Sequence, residues 1–330
     1  MRKSISTFLS LITLACGQVR GQPGLSPSNE PRPLIIAHRG ASCHRPEHTL
    51  EAYALAISMG ADYIEPDLVS TRDGVLVARH ENEIGTTTDV AAKFPERRRT
   101  RTIDGNPVTG WFTEDFTFAE LRTLRARERT ATRSRAFDGQ FVIPTFAEVL
   151  ALADSAGRRR GRAVGVYPET KHPTYFRGID LALEPRILAA LRERGLDRRD
   201  APVFIQSFED ANLRILRRET RVRLVQLVSS PRQVTPQALA EIATYADGIG
   251  ANTRLVVPAA RDAEPTSLVR DAHDARLLVH VWTLRPEPGA LAPRYRGDPL
   301  AEVKELAALG VDGMFADCPD LLVKVLRPAR

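Results

Sequence analysis

From residue 33 onward, short apolar runs alternate with longer stretches whose apolar positions recur at helical spacing. Leu34-Ile35-Ile36-Ala37-His38, Tyr63-Ile64-Glu65-Pro66-Asp67-Leu68-Val69 and Val75 to Arg79 read as buried strands. His48 to Met59 reads as a helix, with Leu50, Tyr53, Ala54 and Ile57 on one face. Pro66 has no amide proton to give a ladder, so the second strand bends or stops pairing there. Thr71-Arg72-Asp73-Gly74 is a turn too short for a helical crossover. Val75 to Arg79 is therefore predicted to pair antiparallel with the preceding strand and to carry His80 back toward the first one.

Residues 81–142 interrupt this rhythm. They are polar and rich in Thr and Arg, and they carry Trp111, Phe112, Phe116 and Phe118. An inserted lobe is expected, because a structureless loop of that length is unusual. Alternation then resumes, with strands predicted at Ala163 to Pro168, Val203 to Gln206, Leu224 to Val228, Gly248 to Ala251, Leu277 to Thr283 and Gly313 to Ala316. Helices are predicted between them at Phe146 to Ala156, Gly178 to Arg194, Asp210 to Arg218, Pro236 to Ala246, Pro265 to Ala275 and Pro299 to Leu309. With the hairpin strand set aside, eight strands linked by crossover helices suit an α/β fold of the (β/α)8 TIM-barrel kind. The lobe then follows the hairpin strand after strand 2. A doubly wound open sheet is the alternative, but Gly248-Ile249-Gly250 lacks the third glycine and helix start of a dinucleotide fingerprint.

The N-terminus differs in kind. Arg2 and Lys3 precede an apolar run from Phe8 to Ala15 that is too short to span a bilayer, as in signal peptides. Thr13-Leu14-Ala15-Cys16-Gly17 is similar to a bacterial lipoprotein box, although Leu is usual where Thr13 stands. Residues 1–15 are thus expected to be a leader, with Cys16 either lipidated or simply downstream of an ordinary cleavage site. Residues 16–32, rich in Gly, Pro, Ser and Gln, are expected to be a tether, and 33–330 the barrel domain. An exported protein follows, whether periplasmic, secreted or membrane-anchored, with any membrane contact made through lipid on Cys16.

A hydrophobic fraction of 43% and a charged fraction of 27% exclude a disordered chain. The net charge of +6 comes mostly from Arg, including Arg97 to Arg99 and Arg158 to Arg160. Such runs attract phosphate or an anionic surface, but a solvated arginine-rich exterior is the preferred reading. The chain has no zinc-finger cysteine spacing and no RNA-binding aromatic motif, so nucleic acid is not expected as a partner.

Chemistry concentrates at the ends of the apolar runs. Glu65 and Asp67 lie two apart on a strand and so project to the same face. Glu169 closes the next parallel strand, in Val166-Tyr167-Pro168-Glu169-Thr170-Lys171. Three carboxylates at neighbouring strand ends form an oxygen-rich site for a hard divalent ion; salt bridges to nearby Arg are the alternative. His38 and His80 are the acid–base candidates, since imidazole exchanges protons near neutrality. Arg39 and Lys171 sit beside them and can each neutralise a phosphate oxygen. A metal, two cations and two histidines together suit phosphoryl chemistry. His48, His172 and His273 are expected to be structural, and His280 to line the barrel.

These residues resemble the glycerophosphodiester phosphodiesterase family. The match runs in order through His38-Arg39-Gly40, Pro46-Glu47-His48-Thr49-Leu50-Glu51-Ala52, Glu65-Pro66-Asp67, Asp73-Gly74, Arg79-His80-Glu81, Glu169-Thr170-Lys171, Gln206-Ser207-Phe208, Val281-Trp282-Thr283 and Asp312-Gly313-Met314-Phe315-Ala316-Asp317. The long segment after His80 is similar to that of the exported bacterial subgroup. The resemblance implies a barrel enzyme that hydrolyses glycerophosphodiesters to sn-glycerol 3-phosphate and an alcohol. It implies Glu65, Asp67 and Glu169 as ligands of one divalent cation, Ca2+ or Mg2+, and His38 and His80 as the general acid–base pair. Arg39 and Lys171 become phosphate contacts, and Phe208 and Trp282 aromatic walls for the glycerol or simple barrel-mouth packing. Cys43 and Cys318 stand where relatives commonly have other residues. They follow the first and last strands, which are neighbours in a closed barrel. A seam disulfide is therefore hypothesised, worth on the order of 4 kcal/mol; two buried free thiols are the alternative. Other functions remain open at this point: a lysophospholipase D-like or phosphoinositide-type phosphodiesterase, a non-catalytic surface-binding lipoprotein, or a sugar-processing barrel. The last leaves His38, His80 and Arg39 idle.

Overall fold

The computed structural model describes residues 32–328, so the leader, Cys16 and nearly all of the tether lie outside the described residues. The strands are β1 (Leu34–His38), β2 (Tyr63–Glu65), β3 (Asp67–Ser70), β4 (Leu76–Ala78), β5 (Arg99–Ile103), β6 (Asn106–Gly110), β7 (Gly165–Val166), β8 (Glu169–Thr170), β9 (Phe204–Ser207), β10 (Arg223–Val228), β11 (Gly248–Asn252), β12 (Leu278–Leu284) and β13 (Gly313–Ala316). Parallel pairing runs from β1 to β2, β2 to β7, β3 to β8, and β8 through β9, β10, β11 and β12 to β13. β13 then pairs with β1, with Leu34 opposite Gly313, and the ring is closed.

Of the thirteen described strands, β5 and β6 form a separate antiparallel pair and β4 lies outside the parallel ring, and prolines split two of the eight barrel strands in two. Pro66 divides β2 from β3, as expected from the sequence, and Pro168 divides β7 from β8 in the same way. Each broken pair is one barrel strand that pairs with its neighbour both below and above the break. β4 is the antiparallel exception, with Leu68 opposite Ala78.

Strand alternation sorts the side chains. Ile35, Ala37, Ile64 and Ile205 face outward into the main core with the helices. Ile36, Tyr63, Tyr167, Phe204, Val225 and Phe315 fill the barrel interior. The Tyr167 hydroxyl lies 2.8 Å from His280 Nδ1 there, which places His280 in the lining as expected. A Cβ at Gly165 would collide with the Tyr63 ring, so glycine is what lets that ring lie across the barrel. Two residues further along each strand, the same inward face presents His38, Glu65, Glu169 and Gln206.

The helices differ in detail from the expected ones. The stretch before Arg194 is two helices, Pro173–Gly178 and Leu183–Glu193. The helices Thr253–Val256 and Pro319–Leu326 were not anticipated. Residues 81–142 hold the hairpin β5–β6 and short helices at Val90–Lys93 and Phe118–Leu121, with Phe112, Phe116, Leu121 and Leu124 fully buried. Cys43 and Cys318 are joined by a disulfide, and Cys43 N–H donates to the Asp317 carbonyl at 3.1 Å. The first and last barrel strands are thereby stapled just beyond their C-terminal ends.

Candidate active site

The C-terminal ends of the strands surround a cavity of about 290 Å³. His38, Arg39, Glu65, His80, Glu169, Lys171, Phe208 and Trp282 all line it. Asp67 is buried directly behind them. A larger hollow of about 660 Å³ lies beside the helix Phe146–Arg160, near Val164 and Pro202, and contains none of these groups.

Glu65, Asp67 and Glu169 each offer an oxygen within 4.8 Å of the others. Glu65 accepts from the Arg39 backbone N–H at 2.9 Å and from Gln206 Nε2 at 3.1 Å. Asp67 Oδ2 accepts from His48 Nε2 at 2.9 Å, and Glu169 Oε1 from Lys171 Nζ at 3.0 Å. Asp67 Oδ1 is buried without a hydrogen-bond partner among the described residues. Burial, with Asp67 and Glu169 alongside, holds the Glu65 carboxyl well above the usual carboxylate range. Burial pushes Glu169 up to about 8, against the pull of Lys171. Asp67 is held well below its usual range: burial opposes this, but the hydrogen bond from His48 and the charge of Lys171 outweigh it. Acidic oxygens crowded this closely, one of them orphaned, fit a hard divalent cation.

His38 Nδ1 lies 2.5 Å from Asp317 Oδ1. With that carboxylate as acceptor, Nδ1 carries the proton and Nε2 keeps its lone pair. Burial and the neighbouring Arg39 lower the His38 pKa to about 4, so the ring is neutral at pH 7. His80 faces the same cavity, its Nδ1 2.8 Å from Glu81 Oε1. Burial, followed by Arg39, lowers its pKa as well.

Three supporting groups escaped the sequence reading. His48, expected to be structural, is fully buried and holds Asp67, while its Nδ1 lies 2.7 Å from the Tyr53 hydroxyl. Its φ of 57° lies in the left-handed region that a side chain rarely adopts, immediately before the Thr49 cap of the helix Leu50–Met59. His172, also expected to be structural, contacts Glu81 Oε2 at 2.7 Å and Asp104 Oδ2 at 2.6 Å, so it braces the carboxylate beside His80. Asp317 was part of a matched motif but had no role. It proves to be the partner of His38, and it also accepts from Arg285 Nε at 2.8 Å and Arg133 Nη2 at 2.5 Å. His273, by contrast, is a surface group paired with Asp312.

Arg39 is buried, with Nη1 3.0 Å from Glu47 Oε2 and Nε 3.4 Å from Asp67 Oδ2. Arg129 Nε reaches the same Glu47 oxygen at 3.0 Å. Phe208 is 43% exposed and meets Trp282 edge to face, ring centroids 5.6 Å apart. Trp282 is anchored by its Nε1–H, which donates to the Gly250 carbonyl at 2.7 Å. The two rings form one wall of the cavity, and Lys171 Nζ stands 5.9 Å from the Phe208 ring centre.

Comparison with known proteins agrees with this geometry. Residues 38–321 match the model of the glycerophosphoryl diester phosphodiesterase family. The chain is 35% identical over 320 residues to a glycerophosphodiester phosphodiesterase of Arabidopsis thaliana, covering 88% of this chain and 85% of that one. It is 31% identical over 338 residues to the glycerophosphodiester phosphodiesterase of Haemophilus influenzae, covering 89% and 90%. Its fold is similar to that of a phosphodiesterase of Oleispira antarctica solved with the product sn-glycerol-3-phosphate, with a TM-score of 0.64, 20% identity and coverage of 89% and 96%. The ordered motifs, the closed barrel and these relatives agree, and the chain belongs to the glycerophosphoryl diester phosphodiesterase family.

Proposed function

We propose that this chain is a metal-dependent hydrolase that cleaves glycerophosphodiesters to sn-glycerol 3-phosphate and an alcohol. The observation that carries this reading is the convergence of Glu65, Asp67 and Glu169 with two histidines and two cations on one small cavity. Glu65, Asp67 and Glu169 would hold one divalent cation, Ca2+ or Mg2+. Such an ion supplies Lewis-acid polarisation of a phosphoryl oxygen. Arg39 and Lys171 bind the phosphate, Arg39 with its guanidinium held in place by Glu47. Phe208 and Trp282 pack the glycerol against their apolar faces. His38 takes a proton on Nε2, oriented through Nδ1 by Asp317. His80 serves as its counterpart across the cavity, positioned by Glu81.

Export to an oxidising compartment belongs to the same proposal. The leader-like N-terminus and the Cys43–Cys318 disulfide support it. The deciding experiment is turnover of glycerophosphocholine and lysophosphatidylcholine, with chelator and with Ca2+ or Mg2+ added back. The expected result is hydrolysis of the glycerophosphodiester, lost on chelation and restored by either ion. Activity that survives exhaustive chelation would remove the metal, and turnover of the lysolipid alone would shift the substrate class.

A further inference from the structure

A second cavity, of about 470 Å³, adjoins the first and is also lined by Arg39. The two share Arg39, Arg285 and Ala290 as their common wall. The Phe208–Trp282 wall belongs only to the first cavity. Arg129, Thr130, Thr132 and Arg133, from the segment between Leu124 and Ile143, close the second. A diester whose glycerol lies against the aromatic wall and whose phosphate meets Arg39 has its other ester oxygen directed away from that wall, toward this space.

The lining has a definite chemistry. Glu47 is 7% exposed, and its Oε1 has no hydrogen-bond partner among the described residues. Its other oxygen already serves Arg39 and Arg129. Glu287 shows the same pattern: Oε1 is 2.6 Å from Arg133 Nε, and Oε2 is buried without a partner among the described residues. Unmet buried acceptors therefore stand among guanidinium donors. A hydroxyl group is both donor and acceptor and satisfies both kinds at once. An ammonium satisfies only the acceptors and meets Arg129, Arg133 and Arg285 as like charges. A trimethylammonium has no N–H to donate, and among the described residues no aromatic face lines this cavity to hold it.

We infer that the second cavity is the subsite for the departing alcohol, and that it selects alcohols bearing further hydroxyl groups, such as glycerol or a cyclic polyol, over choline. The inference rests on the phosphodiesterase reading above and extends it to the far side of the scissile bond. It gives the inserted lobe a role in specificity, because Arg129, Thr130, Thr132 and Arg133 come from it.

The test uses the full chain with Mg2+ or Ca2+ and three diesters: glycerophosphoglycerol, glycerophosphocholine and the methyl diester of glycerol phosphate. Wild-type kcat/KM should be at least about ten-fold higher for glycerophosphoglycerol than for glycerophosphocholine, the scale expected when buried polar groups go unmatched by the wrong ligand. Thr132→Trp and, separately, Thr130→Trp place an indole in the cavity from its rim. Each should lower the glycerophosphoglycerol-to-methyl ratio of kcat/KM by about ten-fold, with circular dichroism confirming the fold. Equal wild-type rates for the polyol and choline diesters would overturn the selectivity, and an unmoved ratio in both folded variants would overturn the subsite. Turnover of the methyl diester separates these failures from failure of the underlying reading. If none of the three diesters is hydrolysed, the phosphodiesterase reading and the subsite fall together.

Discussion

Asp317→Asn isolates how His38 is prepared for proton transfer. In the native site Asp317 Oδ1 faces His38 Nδ1, and Oδ2 faces Arg133 and Arg285. Both guanidiniums are obligate donors, so an asparagine must turn its carbonyl oxygen toward them. Its amide N–H2 then points at His38 Nδ1, which has to become the acceptor. The proton moves to Nε2, and the nitrogen proposed to accept a proton in the cavity is blocked. The lost interaction is a buried hydrogen bond to a charged group, worth about 3 kcal/mol, or roughly a hundred-fold in kcat. KM should change little, because Asp317 lies behind His38 rather than on the phosphate. The assay is steady-state turnover of the preferred glycerophosphodiester by four proteins: wild type, Asp317→Asn, His38→Ala and the double variant. A carboxylate that acts through His38 costs nothing further once the imidazole is gone, so the double variant should match His38→Ala within about two-fold. A folded Asp317→Asn protein with wild-type kcat would refute the argument. So would a loss in the His38→Ala background as large as in the wild type.

Two further predictions concern stability. His38, facing Arg39, Asp317 and Arg285, and His280, facing Tyr167, Asp312 and Arg223, are both buried, with pKa lowered to about 4 by burial first. An unfolded histidine titrates near 6.5, so between about pH 6.5 and 4 these two sites bind more protons in the unfolded chain and each works against stability as pH falls, by up to about 3 kcal/mol, while the Glu65 and Glu169 carboxyls, held high, work the other way. His280→Phe should therefore lose less calorimetric Tm than the wild type between about pH 6.5 and 4, and an equal loss in the two proteins would sink the assignment. The Cys43–Cys318 bridge spans a sequence separation of 275, for which chain entropy sets a ceiling of about 5 kcal/mol. Cys43→Ser and Cys318→Ser should each lower Tm by at least about 3 °C, and the double variant no more than either, whereas full retention of Tm would show that the bridge carries no stability.

Much of this arrangement was legible in the sequence because burying a charge is costly. Glu65, Asp67 and Glu169 stood out as carboxylates ending apolar runs, and strand periodicity alone placed Glu65 and Asp67 on one face. Pro66 announces its strand break, yet Pro168, the same device one strand later, reads in the sequence as the end of the strand. The supporting shell was less visible. Asp317 lies 279 residues from His38, and only barrel closure brings them together. Arg129 and Arg133 were lost among the many arginines of a polar segment whose fold has no repeating period. His48 looked like a helix-start residue because its left-handed backbone, which turns the ring inward onto Asp67, leaves no trace in residue type. Side chains that line the cavity were readable, and those packed behind them were not.

The staple at the barrel seam also changes what a cut in the chain means. Residues 81–142 lie inside the span enclosed by Cys43 and Cys318. A single peptide-bond scission anywhere in that stretch leaves both fragments covalently attached. The two fragments stay joined at the β1–β13 edge, beside His38 and Asp317. Proteolysis of the lobe in an oxidising medium thus yields one nicked molecule rather than two dissociating halves.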